Sequence, residues 1–143
     1  MSQYYPPLTL LILTPLELIF NNSTICLKIY IFSGLFLGGI GIWYIYHRYI
    51  GKFFGIIAAI LYVTLPYFMI SFLFWGTIAQ VPIIAIAPWY MLCCIEFYKK
   101  PKVKMWMAII LLTFILLLSH VMHGFMIAVS VFVTMMIVTI TKR

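Results

Sequence analysis

Two glutamates, three histidines and no aspartate make up nearly all the acid–base chemistry in this 143-residue chain. General bases, nucleophile activators and divalent-metal sites usually draw on carboxylates, so a chain with only Glu17 and Glu96 is closed to most hydrolytic and metal-assisted reactions. What remains is a cluster of neutral polar groups. Ser119, His120 and His123 interrupt a long apolar run, and His120 and His123 stand three apart, on one face if the helix is continuous. Upstream, Trp75 and Gln80 flank a Gly76-Thr77 turn signal. A histidine pair can ligate a metal or haem, but no carboxylate or thiolate lies near this one in sequence. We expect no resident cofactor or metal. The pair reads as interior hydrogen-bonding residues or as groups that touch a substrate, while bis-histidine haem ligation, which needs only these residue types, stays open as an alternative.

The cysteines add no redox framework. Cys93 and Cys94 are adjacent, a spacing at which pairing is rare, and Cys26 is remote from both, so all three read as small apolar packing groups or as acylation sites beside a membrane.

The elements that must position these groups follow from composition. With 66% hydrophobic and 8% charged residues, the chain carries more apolar surface than a water-soluble fold could hide, which makes lipid its solvent. The expected class is all-α, a polytopic transmembrane helix bundle in a single membrane domain over residues 1–143. A span takes about 20 apolar residues. Stretches 25–46, 53–74 and 78–95 qualify as spans, and 105–140 is long enough to be divided near the polar cluster at 119–124. Residues 1–24 read as a juxtamembrane or re-entrant helix with an outward loop. Within it, Glu17 is either a carboxylate at headgroup depth or an acid buried for a function.

Basic residues fall in alternate connections. His47, Arg48 and Lys52 form one group, Lys99 to Lys104 a second and Lys142-Arg143 a third, which the positive-inside rule places in the cytoplasm: loops 47–52 and 96–104 and the C-terminus. The net charge of +7 is thus an orientation signal and a source of contact with anionic headgroups, with no nucleic-acid partner expected. Sequons at Asn21 and Asn22 fall on the outward side, though such triplets are common by chance. Gly34, Gly38 and Gly41 repeat along one stripe, and Gly51, Gly55 and Ala59 along the next, spacings that let helices approach closely and predict a tight hairpin of the two spans. Pro66, Pro82 and Pro88 each remove a backbone donor and predict irregular helices beside the outward loop.

Taken in order, Tyr5-Pro6-Pro7-Leu8, Gly41-Ile42-Trp43-Tyr44 before His47-Arg48, Gly55, Leu65-Pro66-Tyr67, Trp75-Gly76-Thr77-Ile78-Ala79-Gln80, Pro88 and Ser119-His120 form a series. It resembles the 6-pyruvoyl-tetrahydropterin synthase-related multi-span membrane proteins, which look like GT-C lipid-dependent glycosyltransferases. The label implies no pterin chemistry. The resemblance implies sugar transfer from a polyprenyl-phosphate carrier on the outer face, with an acid in a first outward loop and an arginine-glycine…glutamate pattern after the proline-containing span. Here the corresponding place reads Trp75-Gly76…Gln80. Trp75 cannot neutralise phosphate and Gln80 cannot act as a base, and the expected position of the first span and its acid precedes the chain.

The resemblance therefore implies a partial module, a glycosyltransferase-like scaffold that is not competent alone. Trp75, Gln80, Ser119, His120 and His123 are its candidate contacts to a lipid-linked sugar, and a partner membrane protein is expected. The competing expectation is an accessory transmembrane subunit of a larger respiratory or transport complex.

Overall fold

A computed structural model describes residues 7–73 and 78–141, and among them there are only helices, turns and short connections. Helix α1 (Pro7–Phe20) turns at Asn21-Asn22 into α2 (Ser23–Tyr49). Asn21 takes a left-handed conformation, φ 46°, which asparagine tolerates better than most residues. Asn22 caps α2, its side-chain oxygen accepting from the backbone N–H groups of Thr24 and Ile25 at 3.1 and 3.2 Å. Thr9 and Tyr30, both buried, then join α1 to α2 through their hydroxyls at 3.2 Å.

Gly51, at φ +140°, makes the corner into α3 (Lys52–Val63), a conformation that favours glycine. The stretch 53–74 is not one helix over its described part. Pro66 disfavours helical geometry at Leu65 and has no N–H to give, so α3 stops at Val63 and α4 (Pro66–Leu73) starts anew. At the interrupted end the Leu65 N–H reaches the Tyr62 carbonyl at 3.4 Å, and the Thr64 hydroxyl donates to the Ile60 carbonyl at 2.8 Å and lies 3.4 Å from that of Leu61. A 3-10 turn, Ile78–Gln80, leads into α5 (Val81–Lys99), with Pro82 in the first turn where a missing N–H costs nothing. Helix α6 (Val103–Ser119) is separated from α7 (Val121–Thr141) by one extended residue, His120, at φ −167° and ψ 106°.

Two of these segments, Ser23–Tyr49 and Ile78–Lys99, are long and apolar enough to cross a membrane by length and composition. They run parallel. Gly34 faces Val81, Gly38 faces Ile84 and Gly41 faces Pro88, so position numbers rise together along both helices. The Gly34/Gly38/Gly41 stripe thus packs on α5, whereas the hairpin with α3 uses a different pair of faces: a Cβ on Gly55 would lie 3.0 Å from the Trp43 carbonyl oxygen and the His47 nitrogen. Small-residue spacing fixes which face is bare and leaves the neighbour open.

The same interface solves the problem that Pro88 creates. Without an N–H at position 88, the Ile84 carbonyl loses its helical donor, and the Tyr62 hydroxyl of α3 supplies one at 2.8 Å. Around this centre Ile83, Tyr90 and Cys94 of α5 pack with Leu116 of α6, flanked by Ile127 and Val131 of α7. The outer surface is apolar in turn: Leu18, Ile19, Phe32, Phe53, Val103 and Val121 are more than two-thirds exposed, and many other large apolar side chains are exposed to a lesser degree. That arrangement suits lipid and not water.

Candidate functional site

At the end of α5 opposite the basic connections, three segments bring neutral polar side chains together. Gln80 closes the 3-10 turn and is 7% exposed. The Tyr67 hydroxyl, in the first turn of α4, donates to Gln80 Oε1 at 3.4 Å. On its other side Gln80 Nε2 lies 3.5 Å from His123 Nε2, and His123 Nδ1 lies 3.2 Å from His120 Nδ1, with the two rings edge to face at 4.4 Å. Proton positions are assigned from the network. If Gln80 Nε2 donates to His123 Nε2, then His123 carries its proton on Nδ1 and passes a hydrogen bond to His120 Nδ1, which leaves His120 with an N–H at Nε2. The series Tyr67, Gln80, His123, His120 is then polarised in one direction. It leaves one free donor, the His120 Nε2–H, at its end. Gln80 itself cannot take up a proton.

Local sequence builds this geometry. His120 breaks the helix, so His120 and His123 meet across the break and not along one regular helix. Gly124 allows it: a Cβ there would sit 2.5 Å from the Leu116 carbonyl oxygen and 3.0 Å from the Leu117 nitrogen, so only hydrogen fits where α7 leaves α6.

Of the residues singled out from sequence, Gln80, His120 and His123 come together. Ser119 does not join them; it is fully buried and its hydroxyl donates to the Ile115 carbonyl of its own helix at 2.7 Å. Trp75 lies outside the described residues, as do Gly76, Thr77, Tyr5, Pro6, Lys142 and Arg143. Tyr67 was missed because a tyrosine among many apolar neighbours carries no sign of its partner.

The two glutamates are used elsewhere. Glu17, exposed at the corner between α1 and α2, accepts from the Ser23 hydroxyl. Glu96 ties α2 to α5 at the basic end, 3.2 Å from Arg48 Nη2 and accepting from the Tyr49 hydroxyl. Lys99 Nζ stands 3.8 Å above the Tyr49 ring and Arg48 also reaches the Tyr44 hydroxyl at 3.1 Å. This cluster joins two parallel helices and leaves Glu96 with cationic and phenolic neighbours. The cysteines are free thiols, and among the described residues no three acid, thiol or imidazole groups gather as a metal site would require.

Helices with so many large apolar side chains exposed outward define an integral membrane protein of the all-α class. The chain belongs to the 6-pyruvoyl-tetrahydropterin synthase related family, a family of membrane proteins whose model matches residues 2–143. Comparisons with curated proteins and with solved structures find no match.

Proposed function

We propose that this chain is a multi-pass membrane scaffold of glycosyltransferase-like, GT-C type that receives the phosphate-bearing head of a lipid-linked carrier, such as a polyprenyl phosphate sugar, and leaves sugar transfer to a partner chain. The observation that carries the reading is the run of polar contacts from Tyr67 through the buried Gln80 to His123 and His120. A hydrogen-bond donor held at the end of a polar series in a low-dielectric setting suits an oxygen of a phosphate or a sugar. The series contains no carboxylate, so it can bind but supplies neither the base nor the metal ligand that glycosyl transfer draws on. The basic residues at the other end support an orientation with loops 47–52 and 96–104 in the cytoplasm and the polar series outward.

The test is photoaffinity labelling of the purified chain with a benzophenone-bearing polyprenyl phosphate. Labelling should saturate and should fall about tenfold in His120→Phe, which removes the one free donor and its charge-assisted hydrogen bond, and should fall less in Gln80→Leu, which only unseats the series behind it. Equal labelling of all three proteins would remove the carrier from the reading and leave the chain an accessory transmembrane subunit.

A further inference from the structure

The hairpin of α2 and α3 has a lipid-facing groove of about 390 Å³ lined by Phe36, Ile40 and Trp43 of α2 and by Ala59, Ile60 and Val63 of α3. Its floor is open because Gly39 and Ala59 put little side chain between the helices. The Thr64 hydroxyl at the far end is already turned to the Ile60 carbonyl, so the walls offer no hydrogen bonds and suit hydrocarbon. Helical spacing then decides what lies at the near end. On α2 the stripe through Phe36, Ile40 and Trp43 continues to His47, whose ring stacks on Trp43 at 5.2 Å. On α3 the stripe through Val63, Ala59 and Ile56 continues to Lys52, the first residue of the helix. Both His47 and Lys52 are exposed. The groove's lining stops at Trp43 and Ala59, and the same two helix faces carry on toward His47, one turn beyond, and Lys52, two turns beyond, at the basic end of the bundle.

We infer that this groove holds one anionic phospholipid, with its phosphate at His47 and Lys52 and an acyl chain running along Trp43, Ile60, Ile40 and Phe36. Charge selects the occupant. Any lipid tail fits the walls, but a cation at the mouth favours a headgroup of net negative charge over a zwitterion. Arg48 does not compete, since its guanidinium is held by Glu96 and Tyr44 on the side facing α5. A second groove of about 360 Å³ on the hairpin's other side follows stripes that run out at Ile50 and Phe54 without continuing to a basic residue, so it serves as an internal comparison.

The full chain, reconstituted in nanodiscs of mixed phosphatidylglycerol and phosphatidylcholine, is released for native mass spectrometry and its retained lipid counted. One phosphatidylglycerol should remain, preferred over phosphatidylcholine. Lys52→Gln should reduce that preference about fivefold, while Lys100→Gln in the next basic connection should leave it unchanged. Ala59→Phe should displace the lipid outright. As a measure independent of how that variant folds, phosphatidylglycerol with a diazirine on its acyl chain should label native peptides containing residues 36–43 and 59–64. Equal retention of both lipids, equal effects of Lys52→Gln and Lys100→Gln, labelling confined to other segments, or a polypeptide found in the groove would each overturn the assignment.

Discussion

Replacing Gly38 with alanine tests the centre of the bundle in one methyl group. The added Cβ would stand 2.5 Å from the Ile84 carbonyl oxygen and 2.8 Å from Cε1 of Tyr62. A carbon–oxygen contact settles at about 3.3–3.6 Å, so α5 must retreat by roughly 1 Å or the Tyr62 ring must swing away. Either movement disturbs the 2.8 Å hydrogen bond by which Tyr62 satisfies the carbonyl left bare by Pro88. Forced overpacking costs about 1–3 kcal/mol, and an unsatisfied buried carbonyl about 1–3 kcal/mol more when the bond is lost. Against this, alanine is better than glycine in a helix by at most about 1 kcal/mol. The clash wins, and the net loss should be about 2–3 kcal/mol.

Reversible unfolding in mixed dodecylmaltoside–SDS micelles measures it. Gly39→Ala is the control, because its Cβ would meet only the Val63 side chain, at 3.0 Å, and should stay within about 1 kcal/mol of the native chain. Tyr62→Phe alone should lose about 1 kcal/mol. Since Gly38→Ala and Tyr62→Phe break the same bond, their combination should cost less than the sum of the two. A Gly38→Ala protein as stable as the native one, or strict additivity in the double variant, would refute the account.

In a background free of the three native cysteines, a cysteine at Ser23 should react with an impermeant maleimide from outside the cell and one at Lys100 only after permeabilisation; the reverse pattern would invert the orientation. Gly124→Ala, whose Cβ would meet the backbone of Leu116 and Leu117, should lower stability by about 1–3 kcal/mol in the same micelle assay, and an unchanged midpoint would mean that α7 leaves α6 with room to spare. Gln80→Glu should produce no sugar transfer from a pool of polyprenyl-phosphate sugars, because one carboxylate brings neither a second acid nor a phosphate-binding cation. Turnover by the native chain or by this variant, above empty membranes, would show that the chemistry lies in residues read here as scaffold.

Composition carried the class: few charges pointed to lipid and unbroken apolar stretches to helices, and the family match and the apolar exterior agree. Local backbone chemistry was readable where one residue decides it, as at Pro66, which stops α3, or Asn22, which caps α2. Pairing between distant segments was not. The glycines at 34, 38 and 41 mark a bare face, but the sequence neighbour α3 was the natural partner to expect, and α5 occupies it. Pro88 announces a carbonyl in need of a donor without naming Tyr62. Gln80 and His123 attract notice by type, yet their approach depends on the breaks near Pro66 and His120 acting together. Ser119 shows the limit of reading by type, because a hydroxyl next to a histidine can as readily bond its own helix.

The parallel contact of α2 with α5 has a consequence for biogenesis. Gly38 leaves the ribosome about 45 residues before Ile84, an interval on the order of 2–9 s at 5–20 residues per second. From the emergence of Val63 until that of Ile84, the bare glycine face of α2 has α3 on its flank and nothing on its front. Any other nascent segment with a suitable ridge can occupy that face first. The order of synthesis therefore favours a membrane chaperone or insertase that holds the α2–α3 hairpin until α5 arrives, and slowing translation between positions 64 and 81 should raise the fraction of chains removed by quality control.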